Sequence, residues 1–187
     1  MDGYSSDKTV EIAKKFDAKV IYDDRGKGSA LRKGMKVAKG DIIITMDADC
    51  SHKSTEICLL MEAIESGFDI CMGSRFIQGG GTEDMPWYRK LGNKFFVYLV
   101  NLLWDMNYSD LCYGYRSFRR SCIKNLNLKS DGFGVETEIA IKVAKKKLRV
   151  IEIPSYEKSR RGGEGKLKTF KDGFVILKTI IHEMFCD

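Results

Sequence analysis

Gly40-Asp41-Ile42-Ile43-Ile44-Thr45-Met46-Asp47-Ala48-Asp49-Cys50-Ser51-His52 is the stretch from which the rest of the chain can be read. The run from Ile42 to Met46 shows no alternation, which predicts a strand buried on both faces. It delivers two carboxylates, Asp47 and Asp49, at i and i+2. In open α/β sheets that carboxyl edge is where ligands bind. Paired carboxylates repel unless a cation lies between them, so the simplest functional reading is a hard divalent metal shared with phosphate oxygens. The same tripeptide would also serve to cap the helix that follows.

Upstream, Met1 to Asp7 reads as a turn, with Asp7 as N-cap of a helix through Phe16 whose inner face carries Val10, Ala13 and Phe16. Lys19 to Tyr22 reads as a short strand. Asp23-Asp24-Arg25-Gly26-Lys27-Gly28-Ser29 then leads into a helix of roughly Ala30 to Ala38. The glycines permit close backbone approach, and a helix N-terminus beside Arg25 and Lys27 suits an anion, although glycines in such turns also serve the turn itself.

Downstream, a helix begins near Ser54 with Ile57, Leu60, Met61 and Ile64 on one face and stops at Gly67. Phe68 to Met72 is a further strand, ending in Gly73-Ser74-Arg75-Phe76. This alternation predicts an α/β fold with a mostly parallel sheet flanked by helices. Ile77 to Met85, with three consecutive glycines, reads as a lid loop. Trp87 to Trp104 reads as one long helix, apolar over much of its circumference; it is either a core helix or one lying against a lipid surface.

Ser109 to Arg120 reads as a turn-like segment packing Asp110 and Gly114 with Arg116, Arg119 and Arg120. Phe133 opens a helix to about Lys147, where Glu138 sits near the positive end as a capping acid. Arg149 to Pro154 alternates as a strand, and Ser159 to Lys166 is a basic, glycine-rich loop. From Thr169 an amphipathic helix carries Phe170, Phe174, Leu177, Ile181 and Phe185.

A chain of 187 residues with 43% apolar and 31% charged residues fits one globular domain, 1–187. The net charge of +6 favours anionic partners such as nucleotides or phospholipid headgroups, and no nucleic-acid module is visible. The cysteines at 50, 58, 71, 112, 122 and 186 have no C-x-x-C spacing and are read as reduced packing residues of a cytosolic chain. The longest apolar stretch, Phe95 to Trp104, is far short of a bilayer span.

Taken in order, Asp2-Gly3 with Ser5-Ser6-Asp7, Gly26-Lys27-Gly28, Met46-Asp47-Ala48-Asp49 with Ser51-His52, Gly73-Ser74-Arg75, Trp87 with Arg89, Asp110 with Gly114-Tyr115-Arg116, and Arg160 with Gly163 and Lys166-Leu167 form one ordered set. The set resembles the family 2 glycosyltransferases of GT-A fold, of the dolichyl-phosphate mannose or polyprenyl-phosphate sugar synthase type. The resemblance implies a Rossmann-like nucleotide-diphospho-sugar transferase that moves a sugar, with inversion, from GDP-mannose or a UDP-sugar to a polyprenyl or dolichyl phosphate.

It further implies Mg²⁺ or Mn²⁺ at Asp49 and Asp47 with Ser51 as a further ligand. The nucleotide would meet Asp2, Arg25, Lys27, Gly28 and Asp47. The acceptor phosphate would meet Arg75, Arg89, Arg116, Arg160 and Lys166, since guanidinium forks bind phosphate bidentately. Asp110 would orient acceptor or arginines, and would act as base where the acceptor is a hydroxyl, the alternative transfer. Localisation follows as peripheral, at the cytosolic face of a membrane, with the helices at 87–104 and 169–187 as interface helices.

Departures from the family pattern fall at Ser54, at Gly165 and at Cys112-Tyr113. In this family two parallel strands and a helix precede the counterpart of Asp2 and lie in the sheet between the counterparts of Lys19–Tyr22 and Ile42–Met46. The resemblance therefore implies an amino-terminally truncated domain with exposed sheet edges, or an incomplete subunit that oligomerises or takes those strands from a partner.

Overall fold

The computed structural model describes residues 1–83, 85–160 and 169–186. α1 spans Thr9–Lys15 and α2 Lys27–Val37; β1 is Ile42–Thr45. A 3₁₀ turn at Ser54–Glu56 leads into α3, Ile57–Glu65. Then come β2 (Ile70–Ser74), β3 (Gly81–Thr82), α4 (Trp87–Trp104), β4 (Arg116–Arg119), α5 (Arg120–Leu126), α6 (Val135–Lys145), β5 (Val150–Pro154), β6 (Tyr156–Glu157) and α7 (Thr169–Phe185).

The main sheet runs in the order β1-β4-β2-β5. β1, β2 and β5 share one direction, but β4 is inserted antiparallel between β1 and β2, pairing Ile43 with Phe118 and Cys71 with Ser117. The segment expected as a turn around Arg116 is thus a central strand. Its polar residues tolerate burial because each finds a partner: Ser117 Oγ donates to the Leu60 carbonyl at 2.7 Å.

Alternating side chains of this sheet feed two cores. Ile43, Ile70, Met72 and Phe118 pack with Val100 of α4, Ile139 and Val143 of α6 and Ile176 and Ile180 of α7. On the other face Ile42, Ile44, Cys71, Ile151 and Ile153 meet Leu60 and Ile64 of α3. Each such fully buried aliphatic side chain contributes about 1.5–3 kcal/mol.

Several expectations are corrected. Lys19–Tyr22 forms no strand; it makes a single parallel bridge, Tyr22 to Asp2. α1 buries none of its residues and Phe16 lies exposed; its N-cap is Lys8 rather than Asp7, which lies one residue earlier and accepts the Thr9 amide at 2.9 Å. Met61 faces solvent, unlike Leu60 and Ile64. The 77–85 loop is no free lid, because Gly81 and Thr82 pair with Tyr156 and Glu157. α7 turns Ile176, Ile180 and Glu183 inward, and presents outward the stripe of Phe170, Phe174, Ile181 and Phe185. All six cysteines are free, and among the described residues no helix is long and apolar enough to cross a membrane.

Candidate active site

β1 ends at Thr45, whose hydroxyl donates to the Gly114 carbonyl at 2.8 Å, so the chain leaves the sheet edge at a fixed point. Asp47 follows. One of its oxygens, Oδ2, takes Lys27 Nζ at 3.2 Å, and the same ammonium lies 2.9 Å from Oε1 of Glu136. Burial alone would depress the Lys27 ammonium, but the Glu136 and Asp47 carboxylates outweigh it and raise the group above its ordinary value. Asp49 curls back on its own loop: Oδ1 accepts the Ser51 hydroxyl at 2.7 Å and the Ser51 amide at 3.1 Å. Partial burial works against charge on Asp49, yet the Ser51 hydrogen bonds and the nearby positive charge of Arg160 hold its carboxyl below the usual value.

His52 fixes the loop from behind. Its Nδ1 accepts the Asp47 amide at 3.2 Å, and its ring stacks on Tyr115 and meets Tyr113 edge-on, with centroids 4.6 and 4.8 Å away. Burial pushes this imidazole below 6.5, which keeps Nδ1 an acceptor.

Tyr113 links the loop to a second charged group. The Arg75 guanidinium lies 4.6 Å from its ring centre. Arg75 binds Asp110 with two nitrogens, Nε to Oδ2 at 2.7 Å and Nη2 to Oδ1 at 2.9 Å, and gives Nη1 to Glu157 at 3.1 Å. Burial opposes its charge, but the two carboxylates raise its pKa. Asp110 is fully buried and also accepts the Cys112 amide. Both its oxygens face protein donors, which is the posture of a positioning residue rather than a base.

The predicted phosphate arginines therefore separate. Arg116 leaves the acceptor set: it is buried among three carbonyls, those of Tyr113, Glu136 and Leu111, at 2.9–3.0 Å. Arg75 has every guanidinium nitrogen on a carboxylate. Arg89, in the first turn of α4, donates Nε to Thr169 Oγ1 at 3.0 Å at the start of α7. Lys166 lies outside the described residues.

The nucleotide set changes too. Gly28 is corrected: its amide and that of Ser29 donate to the Asp131 carbonyl, and a Cβ at Gly28 would collide with the Ser130 carbonyl. The start of α2 is thus capped by a loop from far along the chain, and the glycine answers that approach rather than a phosphate. Arg25 is paired to Asp23 at 3.0 Å, which holds the Asp23 carboxyl down to about 2. Asp2 spends its carboxylate on the Ser5 hydroxyl and amide, which hold its pKa low.

Glu138, the acid that the sequence pattern singles out, pairs with Lys142 at 2.7 Å, and it is Glu136, two residues earlier, that faces Lys27. Two acids at the start of one helix were the available signal. The exposed Tyr4 and Tyr22, which no local pattern marks, stack their rings at 5.0 Å beside Asp2.

Two carboxylates and a hydroxyl make a hard-oxygen set too small to close a cage. Such a set suits a hard divalent cation that takes oxygen ligands from elsewhere as well. Among the described residues no group of three or more histidine, cysteine, aspartate or glutamate side chains comes together as a metal site.

The family described as glycosyl transferase family 2 matches residues 1–126. The chain is 37% identical over 166 residues to the dolichol-phosphate mannosyltransferase of Pyrococcus furiosus, covering 87% of this chain and 47% of that protein. It is 29% identical over 140 residues to the polyprenol monophosphomannose synthase of Mycolicibacterium smegmatis, covering 73% and 51%. The chain thus spans about half the length of these relatives. A solved glucosyl-3-phosphoglycerate synthase of Mycobacterium tuberculosis, in complex with Mn²⁺, UDP and phosphoglyceric acid, superposes with a TM-score of 0.75 at 16% identity, over 100% of this chain and 67% of that one. That likeness establishes a shared GT-A fold.

Proposed function

The chain belongs to glycosyl transferase family 2, and from that premise we propose that it transfers a sugar from a nucleoside-diphosphate sugar, GDP-mannose or a UDP-sugar, to a polyprenyl or dolichyl phosphate. The observation that carries this reading is the cluster of Lys27, Asp47, Asp49 and Ser51 at the carboxyl end of β1, with Arg160 within electrostatic reach. The relatives named for dolichol and polyprenol phosphates support the acceptor class.

Asp47, Asp49 and Ser51 would hold the divalent cation, which when bound neutralises charge on the departing diphosphate. Lys27 would take diphosphate oxygens beside it, a role that its contact with Asp47 supports. The stacked rings of Tyr4 and Tyr22, the latter five residues before Lys27, offer an aromatic face to the nucleobase. His52 holds the Asp47 backbone in place. A lipid phosphate is already anionic, so its oxygen attacks the anomeric carbon directly and inverts it without needing a base. Arg89 and Arg160 orient it, and Arg75, held by Asp110, supports the aromatic floor.

The outward stripes support contact with a lipid surface. α4 exposes Trp87, Leu91, Phe95, Tyr98 and Leu102, and α7, packed against it, exposes Phe170 at 92%. Lys90, Lys94 and Lys171 lie along the same helices and suit anionic headgroups.

Radiolabelled transfer from GDP-mannose and UDP-glucose, with a short polyprenyl phosphate or the corresponding polyprenol as acceptor, tests the proposal. Metal-dependent labelling of the phosphate alone, lost in Asp49→Ala, is expected. Labelling of the polyprenol alone would replace the acceptor, and no labelling with either donor would overturn the reading. Vesicle sedimentation of Phe170→Asp/Phe174→Asp against the unaltered chain tests the surface contact, with loss of binding expected.

A further inference from the structure

Lys27 holds an unusual position: one ammonium lies between the first acid of the predicted metal pair and a buried glutamate from a different element. Glu136 is fixed from its backbone side, because its carbonyl accepts Arg116 Nη1 at 2.9 Å, and its side chain is almost fully covered. Gly114 leaves the necessary room, since a Cβ there would lie 3.0 Å from Lys27 Nζ and 3.5 Å from Glu136 Oε1. The pair is therefore built into the junction of α2, α6 and the loop before β4. It would remain in place whether or not Asp47 offered a contact.

Resting on the donor-site reading above, we propose that Glu136 is a positioning residue that seats Lys27 on Asp47 as a resident counter-ion, so that metal and nucleoside diphosphate bind as one coupled event. A cation arriving alone at Asp47 must face the Lys27 charge and take over an oxygen that already carries a hydrogen bond. A diphosphate arriving with it gives Lys27 anionic oxygens in exchange. Each ligand thus favours the other, which is a coupling free energy between two adjoining subsites.

Mn²⁺ titration followed by electron paramagnetic resonance, with and without GDP or UDP, reads this directly and needs no turnover. In the unaltered chain Mn²⁺ alone binds weakly, and nucleotide tightens it. Lys27→Met is expected to tighten Mn²⁺ binding in the absence of nucleotide by about fivefold or more and to shrink the nucleotide's effect by a similar factor. Glu136→Gln keeps an oxygen to accept Lys27 and so keeps the seat, but removes the charge that offsets the ammonium; Lys27 then bears more fully on Asp47 and Mn²⁺ binding is expected to weaken. Lys53→Met is the control for charge at large, because Lys53 lies on the same loop with its ammonium over the Tyr156 ring, 4.4 Å from the centroid; it is expected to change Mn²⁺ affinity far less than Lys27→Met.

Unchanged or weaker Mn²⁺ binding in Lys27→Met, an equal shift in Lys53→Met, or tightening in Glu136→Gln would each overturn the proposal while leaving the donor site standing. No saturable Mn²⁺ binding in any variant, with nucleotide present, would overturn the donor-site reading as well. Should Lys27→Met fail to fold, as a thermal melt would reveal, the near-isosteric Glu136→Gln decides by the sign of its shift.

Discussion

Replacing Arg75 by Met and Asp110 by Asn, singly and together, measures how far the floor of the site depends on one buried ion pair. Asp110 is wholly buried, and the Arg75 side chain is 4% exposed. Breaking such a pair by removing one partner costs about 3–5 kcal/mol, because the other charge is left without compensation. The two halves are not equivalent here. Asp110→Asn leaves the guanidinium with Glu157 at 3.1 Å, which places its cost near the lower end, about 3 kcal/mol. Arg75→Met strands a fully buried carboxylate and leaves Glu157 without its cation, which places its cost near the upper end, about 5 kcal/mol. With both changes no buried charge is stranded at Asp110, so the double variant is expected to cost less than Arg75→Met alone and far less than the sum of about 8 kcal/mol. Urea unfolding with an unchanged m-value is the assay. A double variant whose cost equals the sum of the two single costs, within about 0.5 kcal/mol, would show that the pair does not act as a unit and would refute the reasoning.

Lowering the pH acts on His52. Burial holds its pKa below 6.5 in the folded chain, so the unfolded chain takes up the proton first. Stability is expected to be full above about pH 6.5 and to decline as pH falls through the folded value, with a shallower decline in His52→Gln when urea midpoints are compared. Tyr22→Ala is expected to weaken GDP or UDP binding by about fivefold or more, the worth of one base–aromatic stack, and to leave inorganic pyrophosphate unaffected in calorimetry; equal losses for both ligands would remove the stacking role. Gly28→Ala is expected to destabilise the fold by about 1–3 kcal/mol through collision with the Ser130 backbone. If instead its melting point held while nucleotide affinity fell, Gly28 would belong to the nucleotide site after all.

What could be read from the sequence was what local pattern encodes. The apolar run into Asp47 gave a strand and its carboxyl-end loop, and the Trp87–Trp104 periodicity gave a helix with the same limits. Three features could not be read, each for a physical reason. Arg116-Ser117-Phe118-Arg119 has the composition of a turn, and it becomes a central strand only because remote carbonyls accept its polar groups. The glycines before α2 suit a phosphate loop equally well as a close contact, and the contact is with Ser130–Asp131, a hundred residues away. Arginine charge says nothing about partners: Arg75 and Arg116 resemble phosphate ligands in sequence, yet one is spent on carboxylates and the other on carbonyls.

The outward faces of α4 and α7 carry the same lesson toward function. α7 has apolar residues on two sides, and periodicity alone cannot say which side enters the core. The core took Ile176 and Ile180, the branched aliphatics, and left Phe170, Phe174 and Phe185 outside. Keeping large aromatics in water forgoes about 1.5–3 kcal/mol per side chain that burial would contribute, so a surface that retains several of them is best explained by something that covers it. The starts of the two helices are joined by Arg89 and Thr169, at the end of the stripe where Trp87 and Phe170 stand exposed. A lipid lying along that stripe would have its phosphate met by Arg89, so the acceptor proposal and the surface proposal stand or fall on the same few residues.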